Sequence, residues 1–199
     1  MEISEVLLAE ELARRGQRVD LILSNHPVGK ALAGLAEVME MQKEILSRFG
    51  VPIAIAEGLL EERIAEVTRT FMPLNHNRAV DATRLLGYPF IPCHTPADNM
   101  VTTFLQRIFD LARPRTVGDG MDILLEQPEY QMATQQKMGV NLLTGDKKQR
   151  AGKAFVYMTG GTGGSKELFT HLANCGVGTI VSLHISEQHR EKAKENHIN

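Results

Sequence analysis

Short apolar segments that are typical of buried strands alternate along this chain with segments of helical periodicity. The strand-like segments cover residues 19–24, 89–93, 153–159 and 179–183. They are rich in β-branched and aromatic residues, and apolar side chains at helical spacing follow each of them. Alternating strands and helices are typical of parallel sheets covered by helices. The sequence therefore predicts an α/β fold with a mixed, largely parallel sheet, or two such sheets, flanked by helices.

The helical segments and the chain length set the expected domain organisation. The periodicity predicts helices over 4–16, 30–49, 57–70 and 77–86. It also predicts a helix from Asp98 or Asn99 to about 111, one that follows residues 160–165 and ends near 174, and one from Ser186 onward. Residues 114–150 are polar and give no clear element. The 199 residues suit one domain over 1–199, or two subdomains meeting near 114–150. The pattern lacks a strand before the first helix and after the last, so we expect a chain shortened at both ends.

Charge and composition exclude several functional classes. The 22 Lys and Arg residues nearly balance the 24 Asp and Glu residues, which argues against nucleic-acid or anionic-membrane binding by bulk electrostatics. No uncharged apolar run approaches the roughly 18 residues of a membrane helix, and the N-terminus has no signal-peptide pattern. The two cysteines, Cys93 and Cys175, cannot build a disulfide framework. We therefore expect a soluble cytoplasmic protein with a small-molecule substrate.

Polar residues follow two of the strand-like segments and suggest a metal site. Asn25 and His26 follow the first segment, and His94 and Asp98 follow the second. In open α/β sheets, ligands bind outside the carboxyl ends of strands. Two imidazoles and a carboxylate there suit zinc, iron, nickel or manganese. However, a His-x-x-x-acid spacing arises by chance in a chain with 7 histidines and 24 acids, and a structural hydrogen-bonding role is the alternative.

The remaining histidines and the cysteines have simpler interpretations. His76 precedes a predicted helix, where a local turn contact is the simplest role. His184 and His189 flank the start of the last helix, where a solvated helix N-terminus explains them more simply than a metal. Cys93 and Cys175 lie in apolar surroundings and are predicted to be packing residues rather than nucleophiles.

A glycine-rich run, 160–164, connects a predicted strand to a predicted helix. Such a connection can bind anions. Neither the Gly-x-x-x-x-Gly-Lys-Ser/Thr pattern nor the Gly-x-Gly-x-x-Gly pattern is present, because Lys166 precedes Glu167 and stands where a third glycine is required. A tight turn is therefore the favoured interpretation. Anion binding, and with it a phosphate-loop nucleotide-binding protein, stays as the alternative.

Four segments occur in the order typical of a known family. They are Leu23-Ser24-Asn25-His26-Pro27-Val28-Gly29, Pro92-Cys93-His94-Thr95-Pro96-Ala97-Asp98-Asn99, Tyr157-Met158-Thr159-Gly160-Gly161 and Leu183-His184-Ile185-Ser186-Glu187-Gln188-His189. The chain resembles the YbgI-like dinuclear metal-centre proteins, also called the Ngg-interacting-factor-three family and labelled GTP cyclohydrolase type 2 homologues. The resemblance implies an α/β fold that assembles into a toroidal homohexamer with two divalent metals in each subunit.

The resemblance also assigns candidate ligands. The family's His-His-Pro motif matches Asn25-His26-Pro27, so that an asparagine replaces the first histidine. Its His-x-x-x-Asp motif matches His94 and Asp98. Its C-terminal His-x-x-x-Glu-like motif has no match and would follow Asn199. The implied metal ligands are thus His26, His94, Asp98 and Asn25, and an amide oxygen is a weaker ligand than an imidazole.

Two functions are compatible with these residues and with the resemblance. The first is a metal-dependent, hydrolase-like enzyme in which metal-activated water acts on a nucleotide-like or phosphoester substrate. The second is a non-enzymatic, metal-binding oligomeric adaptor or regulator. Asn25 and the unmatched C-terminal motif favour the second.

Overall fold

A computed structural model describes residues 1–199, which form eleven helices and four strands. In chain order they are α1 (Ile3–Arg14), β1 (Ile22–Ser24), α2 (Lys30–Ala33), α3 (Leu35–Val38), α4 (Met41–Arg48), α5 (Ile53–Phe71), α6 (Arg78–Leu85), β2 (Phe90–Pro92), α7 (Thr95–Ala112), α8 (Val117–Leu125), α9 (Pro128–Gln135), β3 (Lys153–Val156), α10 (Leu168–Asn174), β4 (Val177–Val181) and α11 (Glu187–Glu195). None of the helices has the length and apolar character needed to span a membrane.

The strands form two separate two-stranded sheets, and both are parallel. In the first sheet β1 pairs with β2, so that Leu23 lies beside Ile91 and Ser24 beside Pro92. In the second sheet β3 pairs with β4, with Phe155 beside Ile180. Helices connect the two strands of each pair, as parallel pairing requires. The predicted α/β class with parallel sheets flanked by helices is confirmed.

The main core surrounds the β3–β4 sheet on both faces. Phe155 belongs to a cluster of 13 buried residues contributed mainly by α4, α5, α10, β4 and α11. The next residue of β3, Val156, points to the opposite face and packs with Leu105 and Phe109 of α7 and Leu124 of α8. Successive side chains of a strand alternate between faces, and here both faces are dry.

The helix α7 also contacts the backbone of β3 through one side chain. The Gln106 side-chain oxygen accepts a hydrogen bond from the Val156 N–H at 2.8 Å, and its amide nitrogen donates to the Ala154 carbonyl at 3.1 Å. This amide therefore satisfies a donor and an acceptor of β3 that no neighbouring strand pairs.

The β1–β2 sheet is covered far less completely. The neighbouring side chains of Leu23 and Ile91 are 60% and 49% exposed, and Leu21 before β1 is 45% exposed. Only Ser24 is buried among the residues of these two strands.

Three predicted details of the helices are wrong. Residues 30–49 form α2, α3 and α4 rather than one helix, because Gly34 ends α2 and begins α3. Asp98 and Asn99 do not cap a helix; α7 begins at Thr95, since Pro96 fits the first helical turn. The polar segment 114–150 contains α8 and α9.

The start of α8 has a recognisable sequence signal. Thr116 accepts a hydrogen bond from the Asp119 N–H at 3.1 Å, and the Asp119 carboxylate accepts one from the Thr116 N–H at 2.9 Å. This reciprocal cap satisfies two N–H groups that a helix start leaves free. The polar composition of the surrounding segment conceals it.

Candidate metal site

The parallel pairing of β1 and β2 brings two of the predicted site residues together. The last residues of the two strands, Ser24 and Pro92, are neighbours, and each strand runs directly into a histidine-bearing segment. The Ser24 hydroxyl donates to the His26 carbonyl at 2.9 Å, and the Cys93 N–H donates to the Ser24 carbonyl at 2.8 Å. As a result the rings of His26 and His94 stack with centroids 5.6 Å apart.

Asp98 joins this pair through the first turn of α7. It lies four residues after His94, and its Oδ2 is 3.4 Å from the His94 Nε2. The residue is only 8% exposed, and its carboxylate makes no hydrogen bond within the chain. Burial raises the pKa of the Asp98 carboxyl, while the nearby imidazoles of His94, His26 and His184 act in the opposite direction. A buried carboxylate beside imidazoles is a group that a cation would stabilise.

The donor atoms fit a divalent metal chemically. The Nδ1 atom of His94 is buried and has no hydrogen-bond partner, which is uncommon for a buried ring nitrogen. The other ring nitrogen, Nε2, faces Asp98 Oδ2 at 3.4 Å, so these two atoms can bind one ion between them.

The arrangement is nevertheless incomplete as a metal cage. No group of three or more His, Cys, Asp and Glu side chains is arranged to hold a metal ion. Asn25 is exposed, and its side chain makes no hydrogen bond. Of the predicted residues, contacts connect His26, His94 and Asp98, whereas no hydrogen bond of the Asn25 side chain connects it to them.

Sequence reasoning underestimates His184. This residue follows β4, at the carboxyl end of the second sheet, and lines the same cleft as His94 and Asp98. The rule that identifies His26 and His94, a polar residue just after a strand, applies equally to His184. The adjacent helix start, which offers a simpler explanation for this histidine, conceals its place in the cleft.

Two other histidines have structural roles. The His76 ring nitrogen Nε2 lies 2.8 Å from the Phe71 carbonyl, which confirms the predicted turn contact. His189 is more than a solvated residue at a helix start: its Nε2 donates to the Gly164 carbonyl at 2.9 Å, and its Nδ1 lies 2.5 Å from the Ser186 hydroxyl. His189 therefore joins α11 to the glycine run.

One cleft of about 910 Å³ connects these features. Its lining includes His94, Asp98 and His184, and also the segment 161–166 with residues of α5 and α11. The Thr159 hydroxyl donates to the Asn99 side chain at 2.5 Å, which ties the beginning of the glycine run to the turn that carries Asp98.

We call residues 160–166 the glycine loop. Gln42, which is fully buried, donates to the carbonyls of Gly160 at 2.6 Å and Thr162 at 2.7 Å. The Tyr157 hydroxyl donates to the Gln42 side-chain oxygen at 2.6 Å and accepts from the Gly164 N–H at 3.2 Å. Gly160 has φ of +103°, and a Cβ atom there would lie 2.4 Å from Gln42, so only glycine fits. The predicted tight turn is present and is held by buried side chains.

Comparison with solved structures identifies the architecture. The chain superposes on the crystal structure of a NIF3 superfamily protein from Sphaerobacter thermophilus with a TM-score of 0.83 and 24% sequence identity. The match covers 98% of this chain and 70% of that chain. The two proteins share one fold.

This is the fold that the four sequence segments indicated, since the Ngg-interacting-factor-three family is the NIF3 family. No protein-family model and no curated protein sequence matches the chain. The likeness to the NIF3 superfamily protein therefore concerns the three-dimensional arrangement of the chain.

Proposed function

We propose that this chain binds a divalent metal ion through His26, His94 and Asp98, as a member of the NIF3 group of metal-binding proteins. Zinc, iron, manganese and nickel suit this donor set. The observation that carries the proposal is a pair of neighbouring ligand atoms: His94 Nε2 and Oδ2 of the buried Asp98 lie 3.4 Å apart, a separation that one ion with bonds of about 2.1 Å to each atom spans. Both groups are costly to bury without a partner, and a cation offsets both costs.

Each of the three residues has a distinct role in this proposal. His94 binds through Nε2, the ring nitrogen that faces Asp98. Asp98 supplies negative charge in a water-poor position, where its attraction to a cation is strong. His26 is exposed and forms the solvent side of the site, and the exposed Asn25 beside it is a weaker, additional oxygen ligand.

The reaction that we propose is hydrolysis of a nucleotide-like or phosphoester substrate. A bound divalent ion would supply an activated water and polarise the substrate oxygen. The chain itself supplies the cleft of about 910 Å³, which extends from Asp98 to the glycine loop and has room for a substrate of nucleotide size. His184 lines the same cleft close enough to act on the Asp98 carboxyl, and it is a further imidazole for proton transfer or ligation.

A non-enzymatic role as a metal-binding oligomeric adaptor or regulator is the second candidate. Two observations favour it: no three acidic, histidine or cysteine side chains are arranged to hold a metal, and Asn25 stands at a position where an imidazole would bind more tightly. The exposed pair of Leu23 and Ile91 suits contact with another subunit, such as in a toroidal hexamer.

The decisive experiment measures metal bound per chain by elemental mass spectrometry, on untagged protein prepared without chelator. We expect about one metal ion or more per chain in the parent protein. Asp98→Ala should lose most of this metal, because removal of a charged ligand weakens metal binding strongly. Asp122→Ala is the matched control, since Asp122 is an exposed aspartate on α8 and does not line the cleft.

Parent protein that stays empty after incubation with zinc, manganese and iron would contradict metal binding by this chain. If metal binds, the loaded protein is assayed against phosphodiester and phosphomonoester substrates. Turnover that requires metal and disappears in Asp98→Ala supports the hydrolase, whereas bound metal without turnover supports the adaptor.

A further inference from the structure

Side chains from elements that are distant in the sequence donate hydrogen bonds to the carbonyl groups of the glycine loop. Gln42 binds the carbonyls of Gly160 and Thr162, Arg63 donates to the Gly163 carbonyl at 3.0 Å, and His189 donates to the Gly164 carbonyl. The three donors come from α4, α5 and α11, so the loop backbone is fixed from three directions.

The N–H groups of the same loop are left largely free. Only the N–H groups of Thr162 and Gly164 have partners, which are the Gly160 carbonyl and the Tyr157 hydroxyl. The remaining five N–H groups donate to no atom of the chain; they belong to Gly160, Gly161, Gly163, Ser165 and Lys166. All of these residues except Gly160 line the cleft. Free backbone N–H groups that lie around one concavity attract anions.

The charged side chains beside the loop add to this preference. Lys166 and Arg69 line the cleft and have no acidic partner within 4 Å. Most acids of the cleft are neutralised by ion pairs: Glu66 with Arg63, Glu187 with Arg190 and Glu167 with Lys192. Glu62 is the one unpaired acid on this side, so two free cations outnumber it.

We infer that the glycine loop, together with Lys166 and Arg69, binds a phosphoryl group in the cleft that Asp98 also lines. A phosphate dianion presents several strong acceptor oxygens, which match four free N–H groups and two cationic side chains better than a planar carboxylate does. The inference rests on the proposed function for its biological meaning, because a phosphoryl group held there would keep the rest of a phosphoester in the cleft that His94 and Asp98 line.

Phosphate binding by the loop does not itself require the metal, and the experiment uses this independence. Isotope-labelled Asp98→Ala protein is titrated with inorganic phosphate in the absence of divalent metal, and amide shifts are followed by NMR. We expect saturable shifts at Gly161, Gly163, Ser165 and Lys166. Lys166→Gln should weaken phosphate binding about tenfold, because a charge-assisted contact is lost.

Lys148→Gln is the matched control, since Lys148 is an exposed lysine outside the cleft, and it should leave the affinity unchanged. Adenosine monophosphate should produce the same amide shifts, and adenosine should not, if the loop recognises the phosphoryl group of an ester. Shifts by phosphate without shifts by the monophosphate would assign the site to free phosphate and overturn the substrate role.

Amide shifts that do not saturate with phosphate would overturn the inference. An affinity for phosphate that falls equally in Lys166→Gln and Lys148→Gln would overturn it as well. The outcome is separable from that of the metal proposal. If the parent protein takes up no metal but still binds phosphate at the loop, only the metal proposal is contradicted. If the parent protein binds metal but shows none of these amide shifts with phosphate, only the loop proposal is contradicted.

Discussion

The two sheets of this protein are both two-stranded and parallel, yet they differ in how completely they are buried. The β3–β4 sheet is buried on both faces, and Phe155 on one face and Val156 on the other are almost inaccessible to water. The β1–β2 sheet leaves Leu23 and Ile91 half exposed. Both sheets deliver a histidine to the same cleft, through His94 and His184.

This difference assigns most of the stability to the β3–β4 sheet and most of the candidate metal ligands to the β1–β2 sheet. Burial of apolar surface stabilises the fold at about 25 cal/mol per Å², so the β3–β4 sheet and its helices carry most of the free energy of unfolding. The β1–β2 sheet contributes less packing, and the segment after β2 carries His94, whose buried Nδ1 has no hydrogen-bond partner, and the buried Asp98. Segments of low local stability commonly hold binding sites.

The largest effect is expected from Phe155→Ala. This side chain is fully buried in the main core and contacts the rings of Phe49 and Tyr157, so its removal leaves a cavity. We expect a loss of about 3–5 kcal/mol in the free energy of unfolding. Urea denaturation followed by circular dichroism measures it.

Phe104→Ala provides the control for that measurement, because Phe104 on α7 is 53% exposed. It should cost far less than Phe155→Ala. Equal losses for the two variants would contradict the assignment of the main core to the β3–β4 sheet.

An intermediate, pH-dependent effect is expected from Tyr157→Phe. Burial raises the pKa of Tyr157 from 10.0 to about 12, so the folded state retains a proton that the unfolded state releases. The stabilisation by the neutral hydroxyl is therefore complete below pH 10 and is lost as pH rises toward 12. Its hydrogen bonds to Gln42 and Gly164 account for about 1–2 kcal/mol near pH 8.

The measurement compares the thermal stability of parent and Tyr157→Phe protein across the alkaline range. The difference in thermal stability between the two proteins should be constant from pH 7 to about 10 and should become smaller above pH 10. A gap that stays constant to pH 12 would show that the hydroxyl of Tyr157 is accessible to water and does not anchor the glycine loop.

The smallest effect is expected from Leu23→Ala and Ile91→Ala in the other sheet. Because both side chains are about half exposed, each substitution should change the free energy of unfolding by less than about 1 kcal/mol. Denaturation at two protein concentrations tests this. Losses above about 2 kcal/mol that grow with concentration would show that a second subunit covers this face.

The sequence was sufficient for the strands and insufficient for the glycine loop. The alternation of apolar segments located all four strands but not their bounds: β1 begins about three residues later than predicted, β2 is about one residue shorter at each end, β3 ends about three residues earlier because its pairing with β4 stops at Val156, and β4 lies about two residues earlier. The Ser186 cap of α11 was also predictable, since the hydroxyl accepts from the His189 N–H at 3.2 Å.

The parts that sequence could not reveal depend on contacts between distant residues. Gln42 and Gly160 are 118 residues apart, and no local pattern marks a buried glutamine in an amphipathic helix as the anchor of a loop. His26 and His94 were predictable neighbours because parallel strands end at the same edge, whereas the burial of Asp98 depends on where α7 begins. Pro96 in the first turn is the local signal that marks this start.

The hydrogen bonds of Gln106 to β3 fix the position of Asp98 along the helix axis. Asp98 and Gln106 lie eight residues apart on α7, a distance of about 12 Å. Because one amide spans a donor and an acceptor of β3, α7 cannot slide by a turn without breaking both bonds. The buried strand β3 therefore determines how far the carboxylate of Asp98 extends into the cleft.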